Sequence, residues 1–176
     1  MRGVPEFESV AEHSQGVALI TLMLCELVGE PLDRAKALSM AVLHDLPESV
    51  TGDLSLGASS LLPTGAKAHA EQQALAGLLE NVAFAPSWQG TWQEFEAHDC
   101  PEARLVRDAD RLDLLTQALV YERTTGTVEL DEFWRFAPPE SFSLPISREV
   151  ARALAARRPR ARNLADDAEG FDDTTE

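Results

Sequence analysis

Residues 41–54 read AVLHDLPESVTGDL. An apolar run of helical character ends on a His-Asp pair, His44 and Asp45. Two further acids, Glu48 and Asp53, follow within the same stretch. Burying an imidazole and three carboxylates costs free energy unless something pairs with them. A metal ion is one such partner. The sequence on either side bears on whether one is held here.

Upstream, Val10, His13, Val17, Ile20, Leu24 and Leu27 recur at steps of three and four. That spacing predicts a helix with one face turned to a core. Ser9 suits its N-cap, and Glu12 completes a capping-box pattern. Gly29 and Pro31 end it. His13 therefore falls on the stripe expected to be buried. The next helix is expected from about Asp33, with Ala35, Leu38 and Val42 along its apolar stripe. Asp45 takes the following step, where an apolar residue would be expected, and His44 stands beside it. Pro47 disfavours continuation, and the chain turns through TGDLSLG.

Downstream, the pattern predicts a helix over 66–79, a short one over 91–99, and a long one over 101–121 with Pro101 in its first turn. In the long helix Leu105, Ala109, Leu112, Thr116 and Leu119 form one stripe. Val106, Asp110, Asp113, Gln117 and Tyr121 form the adjacent one, so Asp110 borders the core arc. A last helix is expected over 147–157, stopped by RRPRAR. No strand pattern and no internal repeat is visible. The expected fold is all-α, a single bundle of five to six helices over 1–160. Residues 161–176 form an acidic tail with little to bury, expected to be disordered.

The composition narrows the function. The chain has 176 residues, of which 44% are apolar, enough for one domain with a real core. The formal net charge of −15 argues against nucleic-acid polymers and anionic membranes as partners, because both require a basic face. It leaves room for a single nucleotide, whose phosphate one metal and one or two arginines can hold. No apolar run approaches a membrane span, and no secretory segment opens the chain. Cys25 and Cys100 make no disulfide framework. The expected location is the cytoplasm.

His13, His44, Asp45 and Asp110 thus come from three predicted helices, each at an inward or helix-end position. Imidazole and carboxylate together make a mixed nitrogen–oxygen site suited to Mn, Fe, Co, Ni or Zn. An ion with more positions than the protein fills can take water and a phosphate oxygen, as metal-assisted hydrolysis requires. Each residue alone reads as ordinary: a satisfied core histidine, an acid at a helix edge, a turn-forming Asp53 after Gly52, a helix-end Glu48.

The segments ESVAEHSQGVALI, AVLHDLPESVTGD and PEARLVRDADRLDLLTQALVYE resemble the HD-domain metal-dependent phosphohydrolases, in the branch that includes the 5′-deoxynucleotidases. The resemblance runs from Arg2 to Glu122. It implies an HD-domain bundle, a homodimer and one divalent metal ion (Mn, Co, Fe, Ni, Zn or Mg). It implies His13, His44, Asp45 and Asp110 as the metal ligands, with Asp110 rather than its near neighbour Asp108. It implies Glu48 as the group that orients the attacking water or moves a proton, and Asp53 as an acid near the leaving 5′-oxygen. The implied reaction is hydrolysis of a (deoxy)nucleoside 5′-monophosphate to nucleoside and phosphate. The rivals are a non-catalytic nucleotide- or metal-binding HD module and an HD hydrolase of another nucleotide.

A phosphate needs a cation. Arg2 is the candidate, either folding back over the site or standing as an untethered N-terminal charge. Arg107 and Arg111 are expected to pair with surface acids such as Glu102, and Lys67 to be a solvated helix residue. Family members usually carry a preceding helix whose arginine and tryptophan contact phosphate and sugar. Here the chain starts near RGVP, so those groups are expected to be missing and apolar surface to stand open. Trp88, Trp92 and Trp134 lie too far along the chain to replace them.

Overall fold

The computed structural model describes residues 7–29, 31–59, 61–125 and 130–159. Arg2 and the tail over 161–176 lie outside the described residues.

The described residues form helices joined by turns and short loops. Helix α1 (Val10–Leu27) is followed by α2 (Arg34–Leu43), α3 (Glu48–Thr51) and α4 (Leu56–Ser59). Then come α5 (Ala66–Leu78), α6 (Ala85–Ala97), α7 (Pro101–Thr125), α8 (Asp131–Phe136) and α9 (Pro145–Ala155). A 3₁₀ turn at Pro139–Ser141 precedes α9. No strand occurs among the described residues. The longer helices, α1, α2, α5, α6, α7 and α9, match the expected bundle. The excess over five to six comes from the short α3, α4 and α8.

Local chemistry sets the ends. The Ser9 side chain accepts from the Glu12 N–H, and Glu12 accepts from the Ser9 N–H, the predicted capping box. Asp33 caps α2 by accepting from the Lys36 N–H at 3.0 Å. Helix α6 begins earlier than expected, with Pro86 in its first turn, where a missing N–H costs nothing.

Helix α7 is the central rod, packed against α1, α2, α6, α8 and α9. Leu105, Val106, Ala109, Leu112 and Leu115 on α7 meet Val17 and Leu24 of α1, Met40 of α2, Phe95 of α6 and Phe142 in one core. Burying each of the large side chains stabilises the fold by roughly 1.5–3 kcal/mol. Near the end of α7, buried Glu122 accepts from the Leu130 N–H, the Trp134 indole and Arg158. That cluster ties α8 and the end of α9 back to the rod.

Two expected stripes are displaced. Leu27 is 58% exposed, so the buried face of α1 ends at Leu24 and Cys25. In α2 the packed face is Ala37, Met40, Ala41 and Leu43, while Val42 is 55% exposed. The small Ala37 and Ala41 let α2 lie close to its neighbours, and helix separation follows the size of the side chains at the contact. Leu19, Leu22, Met23 and Leu27 form an exposed apolar stripe along α1.

Candidate metal centre

The site lies where α1, the end of α2 and the middle of α7 meet. His44 is the C-cap of α2 and is buried. Its Nδ1 donates to the carbonyl of Ala41 at 2.8 Å. A carbonyl only accepts, so in the neutral ring the proton sits on Nδ1 and Nε2 carries a free lone pair. That buried Nε2 lies 3.2 Å from Asp45 Oδ2 and has no hydrogen-bond partner. The Trp92 indole donates to the His44 carbonyl at 3.0 Å and pins α6 to this corner.

His13 repeats the arrangement from α1. Its Nδ1 is held by Asp113 of α7 at 2.8 Å. Its Nε2 faces Asp45 Oδ2 at 3.4 Å and Asp110 Oδ1 at 3.3 Å. The two imidazole rings stand 5.4 Å apart. One ligand atom from each of His13, His44 and Asp45 falls within 4.8 Å of the others. The fold thus brings together His13, His44, Asp45 and Asp110. Asp108 points elsewhere, accepting from the N–H groups of Ser143 and Leu144 at 2.9 and 2.8 Å ahead of α9.

These donors fit a metal ion. Both rings tie back Nδ1 and turn Nε2 toward shared carboxylates, the orientation that outer hydrogen bonds impose on metal-bound histidine. The electrostatics also call for a cation. Burial opposes charge on His13, but the hydrogen bonds to Asp110 and Asp113 and the charges of Asp110 and Asp45 outweigh it, raising its pKa to about 11. His44 is also raised, since its contact with Asp45 overcomes burial. Asp45 is lowered despite burial, chiefly by His44. A metal would supply the positive charge that protons otherwise provide.

Asp113 carries a role that its place on the inward stripe of α7 did not reveal. Gly16 makes room for it: a Cβ there would come within 2.2 Å of Asp113 Oδ1. Behind it, burial first and the Asp113 charge second push Glu8 up to about 7.

Glu48 heads α3 and is buried. Lys67 of α5 approaches its Oε1 at 3.1 Å and Glu71 at 3.2 Å. Lys67 is therefore engaged at the site and is not the free surface lysine expected. Burial and the nearby Asp45 raise Glu48 to about 7, against the pull of Lys67. Asp53 is exposed, and its charge adds a smaller push on Glu48.

A cavity of about 560 Å³ opens beside this cluster, with His44, Asp45, Lys67, Phe95, Arg107 and Asp110 in its wall. The expectation that Arg107 and Arg111 pair with surface acids does not hold. Arg111 donates to the carbonyls of Phe136 and Ser141 and to the Ser141 hydroxyl. Glu102 is buried and accepts from the Asp33 N–H at 3.0 Å. Arg107 lies three residues before Asp110, one helical turn away on the same face, and so reaches the cavity.

A family model described as HD domain matches residues 1–137. The chain is 31% identical to 5′-deoxynucleotidase HDDC2 of Dictyostelium discoideum, over 89% of this chain and 86% of that one. It is 28% identical to 5′-deoxynucleotidase HDDC2 of Danio rerio, over 88% and 80%. Among solved structures it resembles the PH0347 protein from Pyrococcus horikoshii OT3, at 37% identity and TM-score 0.71, covering 88% of this chain and 85% of that one. With two inward-turned histidines, an HD pair closing α2 and an aspartate on the central rod, this chain belongs to the HD-domain family.

Proposed function

We propose that the protein is a metal-dependent phosphomonoesterase that hydrolyses nucleoside 5′-monophosphates, 2′-deoxynucleotides among them, to nucleoside and phosphate. The observation that carries this reading is the convergence of His13 Nε2, His44 Nε2 and the Asp45 carboxylate, with Asp110 beside them. The 5′-deoxynucleotidase relatives support the substrate class.

His13, His44, Asp45 and Asp110 would hold one divalent ion. When bound, such an ion lowers the pKa of water and offsets charge on the phosphoryl group. Glu48, with a pKa of about 7, suits transfer of a proton near neutral pH. It takes the proton of the attacking water, whose oxygen forms the new bond to phosphorus as the bond from phosphorus to the 5′-oxygen breaks. The departing oxygen takes up a proton in turn, and Asp53, whose charge acts on Glu48, is the acid assigned near it in this reading. Arg2 is a further phosphate contact in this reading.

Residues 1–160 form the HD domain in this account and 161–176 an acidic appendage. The apolar stripe on α1 supports a homodimer. Cys25 and Cys100 are free thiols, which suits the reducing cytoplasm. No helix among the described residues is long and apolar enough to cross a membrane.

The test is Asp45→Ala. The variant is expected to lose bound metal and phosphate release together while keeping its helical circular dichroism. Unchanged metal content and turnover would refute the mechanism.

A further inference from the structure

We propose that Arg107 is the cation that receives the phosphate in the cavity beside the metal centre. The inference rests on the phosphomonoesterase reading and identifies a group that binds its substrate.

Arg107 is half-buried on α7, in the same cavity wall as His44, Asp45 and Asp110. Its guanidinium lies over the Phe95 ring, 5.4 Å from the centroid. The same ring meets His44 edge-on, with centroids 5.6 Å apart. One phenyl group thus backs both a candidate metal ligand and the arginine, fixing them on one side of the cavity.

A guanidinium presents five N–H donors and no acceptor. Among the described residues the Arg107 side chain has no ion pair and no hydrogen bond, and its Nε is buried without a hydrogen-bond partner. The other cations near the site are committed. Lys67 is shared by Glu48 and Glu71, and Arg111 is spent on backbone carbonyls and Ser141. Nor does His98 offer a counter-charge. Burial first, and the charge of Arg107 next, hold its pKa below the usual histidine value.

A partly desolvated donor fork with no protein acceptor, opening on a cavity beside a metal cluster, suits a tetrahedral anion. In a chain of net charge −15, a local cation is also what lets a phosphate approach past Asp45, Asp110, Glu71 and Glu96 in the same wall.

The test uses the full chain loaded with Mn²⁺, with Arg107→Met to keep the stem and remove the charge, and Arg107→Lys to keep the charge and lose the fork. The probes are inorganic phosphate and deoxyadenosine, titrated by calorimetry, and Mn²⁺ itself. R107M is expected to weaken phosphate binding by about 10–100-fold, R107K by less. Deoxyadenosine and Mn²⁺ affinities are expected to stay at the parental values. Turnover of dAMP should fall in parallel with phosphate affinity.

Parental phosphate affinity in both folded variants would overturn the proposal. So would a loss confined to deoxyadenosine, which would make Arg107 a shelf for the base. If R107M does not fold, R107K decides by the same criterion. A parent that binds phosphate through Arg107 yet hydrolyses no monophosphate would sink the enzymatic reading and leave this one standing. An R107M variant that hydrolyses dAMP as fast as the parent would overturn this proposal and leave the enzymatic reading standing.

Discussion

Glu48 stands near Asp45 with Lys67 as its counter-charge, and its pKa is raised from 4.5 to about 7. Between those values the folded state binds more protons than the unfolded chain. Stability from this group is therefore lost as pH rises through the window. In the metal-free protein, Glu48→Gln removes that titration. The gap in melting temperature between E48Q and the parent should shift in favour of E48Q from about pH 5 to about pH 7.5, while phosphate release falls in the metal-loaded variant. A gap that stays constant with pH would show that Glu48 is not held at a raised pKa.

The sequence exposes some of these residues and hides others for a physical reason. His13 and Asp110 stand out because a polar group interrupts or borders an apolar stripe. Lys67, Arg107 and Asp113 do not, because charged residues on a helix are ordinarily solvated. Only the contacts between helices show that Lys67 faces Glu48 and that Asp113 holds His13 from behind. For Arg107 a signal was available: a residue one turn before Asp110 shares its face.

At the scale of elements, the centre depends on how closely α1 approaches α7. Gly16 permits Asp113 to lie against the backbone of α1 while it accepts from His13. Gly16→Ala gains about 1 kcal/mol of intrinsic helix propensity. The new methyl must displace a carboxylate that the fold holds in place, and overpacking of this kind costs about 1–3 kcal/mol. The steric loss is expected to win, and the clearer sign is in metal binding. Losing an outer partner of a metal-bound histidine typically weakens affinity about 10–100-fold. A Mn²⁺ titration of G16A should show that loss, and parental affinity would remove Asp113 from the account. The long helices were legible because their periodicity runs over several turns. The short α3, α4 and α8 span too few residues to show a period. The α2 stripe was misplaced because alanines at 37 and 41 carry little hydrophobic signal, although their small size is what places them in the contact.

For the whole molecule, the open apolar stripe on α1 and the state of assembly belong together. Leu19, Leu22, Met23 and Leu27 leave a continuous face exposed, and exposed patches of this kind mark contacts with other surfaces. Sedimentation should find a dimer that the Leu19→Glu/Met23→Glu double variant converts to monomer with its helical content intact. A parent that sediments as a monomer throughout would reject the homodimer.

The central claim is that this helical corner hydrolyses a nucleotide phosphomonoester with a metal held by His13, His44, Asp45 and Asp110. The most direct measurement is phosphate release by the chelator-stripped protein before and after Mn²⁺ or Co²⁺ is restored, over a panel of 5′-monophosphates that pairs dAMP with AMP. The account predicts no release from the stripped protein and release from dAMP once metal returns. A folded, metal-replete protein that frees no phosphate from any member of the panel would contradict it.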